Sequence, residues 1–236
     1  MKIRAVLFDL DGTLLPLDQS KFIKEYFKGL VDALSPLGCD PKALEGSIWA
    51  GTVAMIKNDG TKTNEEAFYN KFSSLCQVDM EAFDRLAREY YRTEYKKLEN
   101  LTKKTPLAKT AVALAGECGR RVVLATNPLF PREAQEVRIA FAGLCPSDFE
   151  LITSYESDKY AKPSTQYYTS IAKRLGLSPD ECVMIGNDEE EDMRAASSVG
   201  MRCFLIEDCV ISSSEHPWDG ERGSFEDMLE FLKKLN

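Results

Sequence analysis

The sequence contains little histidine, no long apolar run and no excess of positive charge. Its one histidine, His216, lies in a polar segment, so we expect it on a solvated loop and not in the chemistry. No stretch approaches the ~20 apolar residues of a membrane span, which argues against a membrane location. The net charge of −8 argues against nucleic acid or an anionic membrane as the main partner. An anionic substrate would therefore need a local source of positive charge, either a metal ion or a lysine.

Cysteine is present, but without the pattern of a disulfide framework or a zinc site. The seven cysteines are an odd number, and no C-x-x-C pair occurs. Most of them lie among apolar residues, which favours reduced, buried thiols in a cytoplasmic protein. They are Cys39, Cys76, Cys118, Cys145, Cys182, Cys203 and Cys209. At 236 residues, 44% of them hydrophobic, the chain can form one large domain or a core with a smaller insert.

The most informative stretch runs from Val6 to Thr13. An apolar run typical of a strand buried on both faces is followed by Asp9, Asp11 and a glycine that permits a tight turn. Residues i and i+2 of a strand point the same way, so the two carboxylates would leave the strand end together. Like charges ~4 Å apart repel by about 4 kcal/mol near a protein surface, so the pair needs a cation or a shared proton. Mg²⁺, which prefers oxygen ligands, is the natural candidate, although an acidic turn can also simply end a strand.

The next ~85 residues have the apolar spacing of consecutive helices and contain no strand pattern. Asp40-Pro41 is a helix start, and Thr63 with Glu66 forms a capping-box pattern. A fourth helix is predicted from about Asp79 to Leu98. We therefore predict a helical module, or cap, over residues 16–100.

From Thr105 onward, predicted strands and helices alternate. The predicted strands are 121–127, 149–153, 181–186 and 202–206, and the predicted helices are 107–118, 131–141, 164–175, 191–199 and 224–232. Together with the first strand, this pattern predicts an α/β fold, a doubly wound parallel sheet of the Rossmann-like type. The predicted core comprises residues 1–15 and 101–236, and the cap is inserted into it. We expect the segment 208–223, rich in serine, glycine and charge, to be the most mobile piece.

Four of the five predicted strands end in polar residues that suit phosphate chemistry. Asp9 and Asp11 follow the first, Thr126-Asn127 the second, Lys162 comes after the third, and the acidic run Gly186 to Asp192 follows the fourth. In open α/β sheets, ligands bind beyond the carboxyl ends of the strands. Each motif alone has an ordinary structural explanation as a cap or turn, but their joint order indicates one site.

These motifs resemble those of the haloacid dehalogenase superfamily of phosphohydrolases. The resemblance covers nearly the whole chain, with D-L-D-G-T, L-A-T-N, A-K-P and G-N-D-x-x-x-D in order and a helical cap after the first motif. It implies that Asp9 is the nucleophile that forms an aspartyl-phosphate and that Asp11 is the general acid and base. It also implies that Thr126 and Lys162 hold the transferring phosphoryl group.

The resemblance further implies a magnesium ion that bridges Asp9, the phosphate and the acidic fourth motif, with the backbone carbonyl of Asp11 also reaching the metal. It extends substrate or phosphate binding to Gly12, Thr13 and Asn127. The fourth motif departs from the commonest pattern because Asn187 stands where the family often has an aspartate. Either Asn187 or Asp188 is then the metal ligand. We favour Asp188, with Asp192 behind it or in a salt bridge to Lys162.

The sequence thus predicts a cytoplasmic, magnesium-dependent phosphohydrolase that acts on a small phosphomonoester such as a sugar phosphate or nucleotide. Asp11 favours phosphoryl transfer over dehalogenation, because dehalogenation needs no acid for the leaving group. Two alternatives stay open: a phosphomutase of the same superfamily and a non-catalytic aspartyl-phosphate switch. The cap residue Trp49 is predicted to lie in the core, and Lys57 and Lys62 to be solvated. The oligomeric state is not predicted.

Overall fold

The core of the fold is a six-stranded parallel sheet in a computed structural model that describes residues 2–215 and 217–235. The side chain of Cys118 is also not described, and the expectation for His216 lies outside the described residues. The strands are β1 (Ala5–Phe8), β2 (Arg121–Leu124), β3 (Leu151–Ile152), β4 (Cys182–Gly186), β5 (Arg202–Ile206) and β6 (Arg222–Gly223). Their order in the sheet is β3-β2-β1-β4-β5-β6, and all neighbouring pairs are parallel. This order confirms the predicted doubly wound α/β fold.

Both faces of the sheet are covered, which explains the continuous apolar runs of the central strands. Val6 and Phe8 of β1 belong to one buried cluster, and Ala5 and Leu7 belong to the cluster on the other face. The first cluster continues into the helices inserted after β1, since it also contains Phe22 and other residues of those helices. The inserted helices and the sheet therefore share one apolar core.

Four α-helices lie within residues 16–100, after β1 in the chain. They are α1 (Gln19–Ala33), α2 (Pro41–Ile56), α3 (Asn64–Leu75) and α4 (Met80–Arg92). The side chains of Asp40 and Thr63 cap α2 and α3 as predicted. The fourth helix was predicted to reach Leu98, which is wrong: α4 ends at Arg92, and a 3₁₀ segment, Glu94–Leu101, follows it.

Five further helices connect and flank the later strands. They are α5 (Leu107–Gly116), α6 (Arg132–Phe141), α7 (Thr165–Leu175), α8 (Ala195–Ser198) and α9 (Phe225–Lys233). The helix predicted at 191–199 is instead a π-helical segment, Glu189–Arg194, that continues into α8. The strand β6 was missed, and short 3₁₀ segments occupy Ser35–Leu37, Glu117–Gly119, Pro146–Asp148 and Pro179–Glu181.

Asn64, at the start of α3, joins the inserted helices to the sheet side of the molecule. Its buried side-chain amide donates to the carbonyl of Pro128 at 3.1 Å, and its backbone N–H donates to the carbonyl of Asp158 at 2.8 Å. The backbone N–H of Glu65 donates to the carbonyl of Tyr155 at 2.9 Å. These bonds attach the helices to the loops that follow β2 and β3. The division into a core and a cap stays a prediction.

The segment 208–223 packs against the loop after β4. The backbone N–H of Ile211 donates to the carbonyl of Asn187 at 2.8 Å, and the N–H of Glu189 donates to the carbonyl of Ile211 at 3.0 Å. Part of the segment also forms β6, which pairs with β5. The structure thus ties this segment to the fourth motif; its mobility stays a prediction.

The six cysteines whose side chains the structure describes are free thiols, and three of them are buried as expected: Cys76, Cys182 and Cys203. Cys145 is exposed, so burial is not general. Over the described part of the chain, no helix combines the length and the apolar character needed to cross a bilayer. The cytoplasmic location stays a prediction.

Candidate active site

The carboxyl ends of three neighbouring strands form the floor of the site. Phe8 of β1 pairs with Leu124 of β2 on one side and with Ile185 of β4 on the other. Because these parallel strands end together, the residues that follow them meet at one edge of the sheet. A cavity of about 240 Å³ lies at this edge, and its wall includes eight of the predicted site residues. They are Asp9, Asp11, Thr126, Asn127, Lys162, Asn187, Asp188 and Asp192.

A buried lysine bridges two carboxylates at the centre of the floor. The Nζ of Lys162 lies 2.7 Å from Oδ1 of Asp9 and 2.6 Å from Oδ1 of Asp192, so the predicted Lys162–Asp192 salt bridge is present. Burial raises the pKa of Asp9 to about 8, although the charge of Lys162 acts against this shift. Burial lowers the pKa of Lys162, but the charges of Asp192 and Asp9 raise it well above its ordinary value. The lysine is therefore a fixed positive charge beside the predicted nucleophile.

Asp192 organises the loop after β4. Its Oδ2 accepts from the backbone N–H groups of Asn187 and Asp188, each at 3.1 Å, while its Oδ1 accepts from Lys162. Gly186 lies against this carboxylate, since a Cβ on the glycine would come within 2.2 Å of Oδ2. Both oxygens of Asp192 thus already accept hydrogen bonds, so Asp192 positions Lys162 and the loop and is not free to bind a further ligand.

The second aspartate of the first motif pairs with an arginine that sequence reasoning missed. Oδ2 of Asp11 forms an ion pair with Nη1 of Arg138, a residue of α6 that is buried. The guanidinium carbon also lies 4.2 Å from the centroid of the Phe130 ring. Burial raises the pKa of Asp11, although Arg138 acts to lower it. Oδ1 of Asp11 and Nε and Nη2 of Arg138 are buried without a hydrogen-bond partner.

The residues after β2 offer a hydroxyl and an amide to the cavity. The backbone carbonyl of Thr126 accepts from the hydroxyls of Thr153 and Tyr167, at 2.6 and 2.9 Å, which fixes its position. The Asn127 side chain accepts from the backbone N–H of Lys162 at 3.2 Å and donates to the Glu191 carboxylate at 3.0 Å. Glu191, also missed from sequence, lines the cavity, and burial raises its pKa to about 7.

Asn187 links the first and fourth motifs. Its Oδ1 accepts from the hydroxyl of Thr13 at 3.1 Å, and its Nδ2 donates to the carbonyl of Cys209 at 2.7 Å. Its amide also packs against Gly12, whose φ of +86° favours glycine and whose missing Cβ would lie 2.2 Å from Nδ2. Neither Gly12 nor Thr13 is on the cavity wall, so the structure does not bring them to the position expected of phosphate ligands. Their contacts instead support Asn187.

Asp188 has one carboxylate oxygen occupied. Its Oδ1 accepts from the backbone N–H groups of Glu190 and Glu191, both at 2.8 Å, as the cap of the π-helical segment. Burial raises the pKa of this carboxyl. Since the amide oxygen of Asn187 is held by Thr13, Asp188 is the better placed of the two for a further ligand.

The charges on the cavity wall fit a cation. Five carboxylates and two cations line the cavity, which leaves an excess of negative charge when all are ionised. Within residues 2–215 and 217–235, no three carboxylate, thiol or imidazole groups form a ready-made metal cluster. Magnesium needs no such cluster, because it keeps several waters and binds one or two carboxylates together with substrate phosphate. The excess negative charge and the Asp188 carboxylate, of which only Oδ1 accepts from the backbone, therefore fit an ion of this kind.

The inserted helices supply a different part of the wall, which is mostly apolar. Helix α1 contributes Gln19, Ile23, Tyr26 and Phe27, and α2 contributes Trp49, Thr52 and Ile56. Trp49 is 54% exposed, so its predicted place in the core is wrong: it lies on the cavity wall beside Phe27. Lys57 is exposed as predicted, Lys62 is half-buried, and neither lines the cavity.

The positions of the missed residues follow a pattern in the sequence. Arg138 lies on the same face of α6 as the buried residues Ala134 and Phe141, at positions i, i+4 and i+7. A positive charge on an otherwise inward-facing stripe is the signal that could have indicated a buried ion pair. No comparable signal marks Cys209, whose contact with Asn187 depends on the path of a polar loop.

Known proteins resemble this chain over most of its length. The family model described as haloacid dehalogenase-like hydrolase matches residues 3–200. The glyceraldehyde 3-phosphate phosphatase of Methanopyrus kandleri is 25% identical over 240 residues, which covers 99% of this chain and 98% of that protein. SUPPRESSOR OF QUENCHING 1, chloroplastic, of Arabidopsis thaliana is 26% identical over 87% of this chain, but the match spans only 18% of that protein.

A solved structure has the same fold. The hydrolase YfnB of Bacillus subtilis, whose structure is bound to magnesium, superposes with a TM-score of 0.59 at 18% identity. The superposition covers 98% of this chain and 99% of that chain. The family resemblance seen in the four motifs is thereby confirmed, as is the prediction of an enzyme related to phosphatases. The chain belongs to the haloacid dehalogenase-like hydrolases.

Proposed function

We propose that this protein is a magnesium-dependent phosphohydrolase that cleaves small phosphomonoesters through an aspartyl-phosphate on Asp9. Phosphatases among its relatives support the general reaction. The observation that carries the proposal is the position of Asp9, which lies at the end of β1 on the cavity wall with Lys162 at 2.7 Å. A fixed cation beside a carboxylate favours its ionised form and stabilises the negative charge that develops during phosphoryl transfer.

In the first step, a carboxylate oxygen of Asp9 attacks phosphorus while the bond to the ester oxygen breaks. Asp11 gives its proton to that leaving oxygen, and the alcohol departs. The raised pKa of Asp11 suits a group that must carry a proton at the start of the reaction. Asp11 pairs with Arg138 once it is ionised, which holds the carboxylate in place.

In the second step, Asp11 takes a proton from water, and the resulting hydroxide attacks the phosphorus of the aspartyl-phosphate. The bond between phosphorus and the Asp9 oxygen breaks, which releases inorganic phosphate and restores the Asp9 carboxylate and the protonated form of Asp11. The hydroxyl of Thr126, the amide of Asn127 and the ammonium of Lys162 are the groups that would hold the phosphoryl oxygens. Asp9 and Asp188, with the backbone carbonyl of Asp11, would hold Mg²⁺, which offsets the excess negative charge and polarises the phosphate.

The test is release of inorganic phosphate from p-nitrophenyl phosphate with magnesium. We expect Asp9→Asn to lower kcat by at least about 10⁴-fold and Asp11→Asn by about 10²–10⁴-fold, with no turnover in EDTA. Asp219→Asn is the matched control, since Asp219 is exposed and does not line the cavity. Turnover that survives in Asp9→Asn would refute the proposed nucleophile.

A further inference from the structure

The wall of the cavity is charged at its floor, where the strands end, and apolar at its mouth, the part formed by α1 and α2. All the charged side chains on the wall come from the sheet side, whereas α1 and α2 contribute Ile23, Phe27, Trp49 and Ile56. These residues are spaced four positions apart on α1 and seven apart on α2, so each helix presents one apolar face to the cavity. Phe130, from the loop after β2, adds a further aromatic ring to the wall.

Large hydrophobic side chains at the mouth are exposed to solvent, and packing within the protein does not explain their exposure. Among described residues, the large hydrophobic side chains that are exposed are Ile23 at 38%, Trp49 at 54%, Ile211 at 37% and Leu75 at 52%. Three of these four line the cavity. Scattered exposed hydrophobic residues are ordinary, but a cluster around one cavity marks a binding surface.

The same wall has few groups that could recognise a polar substrate. The hydroxyl of Thr52 already donates to the carbonyl of Ile48 at 3.1 Å, and the hydroxyl of Tyr26 is bonded to that of Tyr91 at 2.9 Å. Gln19 is left as the main polar side chain of α1 and α2 on this wall. Substrate hydroxyl groups buried here would find few partners, and an unmatched buried polar group weakens binding.

A second anionic group on the substrate would also lack a partner. Among the residues that the structure describes, the cations on the wall are Lys162, held by Asp9 and Asp192, and Arg138, held by Asp11. Neither belongs to α1 or α2. A cavity of about 240 Å³ is, in addition, smaller than the roughly 300–1,000 Å³ typical of sites for larger ligands.

We infer that the leaving group of the substrate is a small, uncharged, hydrophobic alcohol, aliphatic or aromatic, which packs against Trp49, Phe27 and Ile23. The inference rests on the proposed function for the chemistry at Asp9, and it names the part of the substrate that the apolar wall selects. Sugar phosphates, nucleotides and bisphosphates are disfavoured as substrates. The rival phosphomutase activity is disfavoured for the same reason, because a bisphosphate must bind during that reaction.

Binding of n-alkylphosphonates, from methyl to hexyl, tests the inference without any need for turnover. The compounds share one headgroup and have no ester bond, so calorimetric titration with magnesium reports the contribution of the chain. We expect Kd to fall about two- to fourfold for each methylene that enters the apolar wall. In Trp49→Ala, Kd for hexylphosphonate should rise about tenfold while Kd for methylphosphonate stays the same.

Leu75→Ala is the matched control, since Leu75 is a comparably exposed hydrophobic residue of α3 that does not line the cavity. It should bind every phosphonate like the unmodified protein, and Ile23→Ser provides a second variant at the mouth. A Kd that is independent of chain length would overturn the inference. So would an equal loss in Leu75→Ala, or tighter binding of ethylenediphosphonate than of butylphosphonate. The proposed hydrolysis is tested separately, by comparing phosphate release from the unmodified protein with that from Asp9→Asn. Failure of the hydrolysis and failure of the inference about the leaving group can therefore be told apart.

Discussion

Replacement of Lys162 by methionine tests whether the floor of the site is held by one buried cation. The lysine is 1% exposed and lies within 2.7 Å of one oxygen of Asp9 and 2.6 Å of one oxygen of Asp192. Removal of one partner of a buried ion pair leaves an uncompensated charge and costs about 3–5 kcal/mol. Since domains are stable by only about 5–15 kcal/mol, this loss is a large share of the total.

The loss is measured by thermal unfolding followed by circular dichroism in metal-free buffer at pH 7. For a chain of this size, about 1 kcal/mol corresponds to about 2–4 °C, so Lys162→Met should lower Tm by about 6–20 °C. The double variant Lys162→Met/Asp192→Asn should be more stable than Lys162→Met alone, because it removes one of the two unpaired carboxylates. Magnesium should raise the Tm of Lys162→Met more than that of the unmodified protein, since the ion replaces the missing positive charge.

Lys97→Met is the control, because Lys97 forms an exposed ion pair with Glu94 at 2.6 Å. An exposed pair contributes little, so Tm should stay within experimental error. A fall of less than about 2 °C for Lys162→Met would contradict the reasoning. So would a double variant that is less stable than the single one, because Asp192 would then stabilise the loop without needing the lysine.

Three further predictions concern the acid, the metal and the docking of the inserted helices. Arg138→Met should lower kcat with little change in KM. It should also move the inflection of the pH–rate profile that reports Asp11 to higher pH, because Arg138 lowers the pKa of Asp11. Arg138→Lys should return the inflection part of the way to its original pH. Burial raises the pKa of Asp9 to about 8, so a proton competes with magnesium below that pH. The apparent Kd for Mg²⁺ should therefore fall by up to about tenfold per pH unit from pH 6 to 7 and level off above about 8, and a pH-independent Kd in calorimetry would contradict this. Asn64→Ala removes the hydrogen bond to Pro128 and leaves that buried carbonyl unpaired, so the free energy of unfolding in urea should fall by about 1–3 kcal/mol. Amide hydrogen exchange should become faster at the start of α3. Unchanged exchange there would count against this docking role.

The strands that the sequence predicted well are those whose sequence alone demands burial on both faces. Ala5–Phe8 and Arg202–Ile206 are apolar runs that end at polar or turn residues, and both were predicted at nearly their observed bounds. The strand Arg222–Gly223 carries no such pattern, since it is two residues long and one of them is charged. It belongs to the sheet because it pairs with β5, and that pairing joins residues distant in sequence. Such a strand forms through tertiary contact, so local β-propensity could not predict it.

The candidate site also contains residues that the sequence could predict and residues that it could not. Asp9 and Lys162 were predicted to meet because the parallel topology brings the strand ends that they follow to one edge of the sheet. Helical spacing separates Arg138, on the inward face of α6, from Arg132, which is partly exposed and pairs with Glu136 at 2.9 Å. The spacing does not identify the partner of Arg138, because the contact with Asp11 depends on the packing of α6 against the first motif. Trp49 was misplaced for a related reason: helical spacing predicts which face is apolar, but not whether that face meets the core or a cavity.

The distribution of charge makes metal and substrate depend on each other. Lys162 and Arg138 are both held by carboxylates, so the floor of the metal-free site repels a phosphate dianion when its five carboxylates are ionised. A bound divalent cation reverses that repulsion, and by linkage the phosphate must strengthen the binding of the cation by the same factor. The apolar wall of α1 and α2 takes no part in this coupling, since it carries no charge. Phosphate affinity should therefore depend steeply on magnesium, whereas the gain in affinity per methylene of the leaving group should be the same at every magnesium concentration.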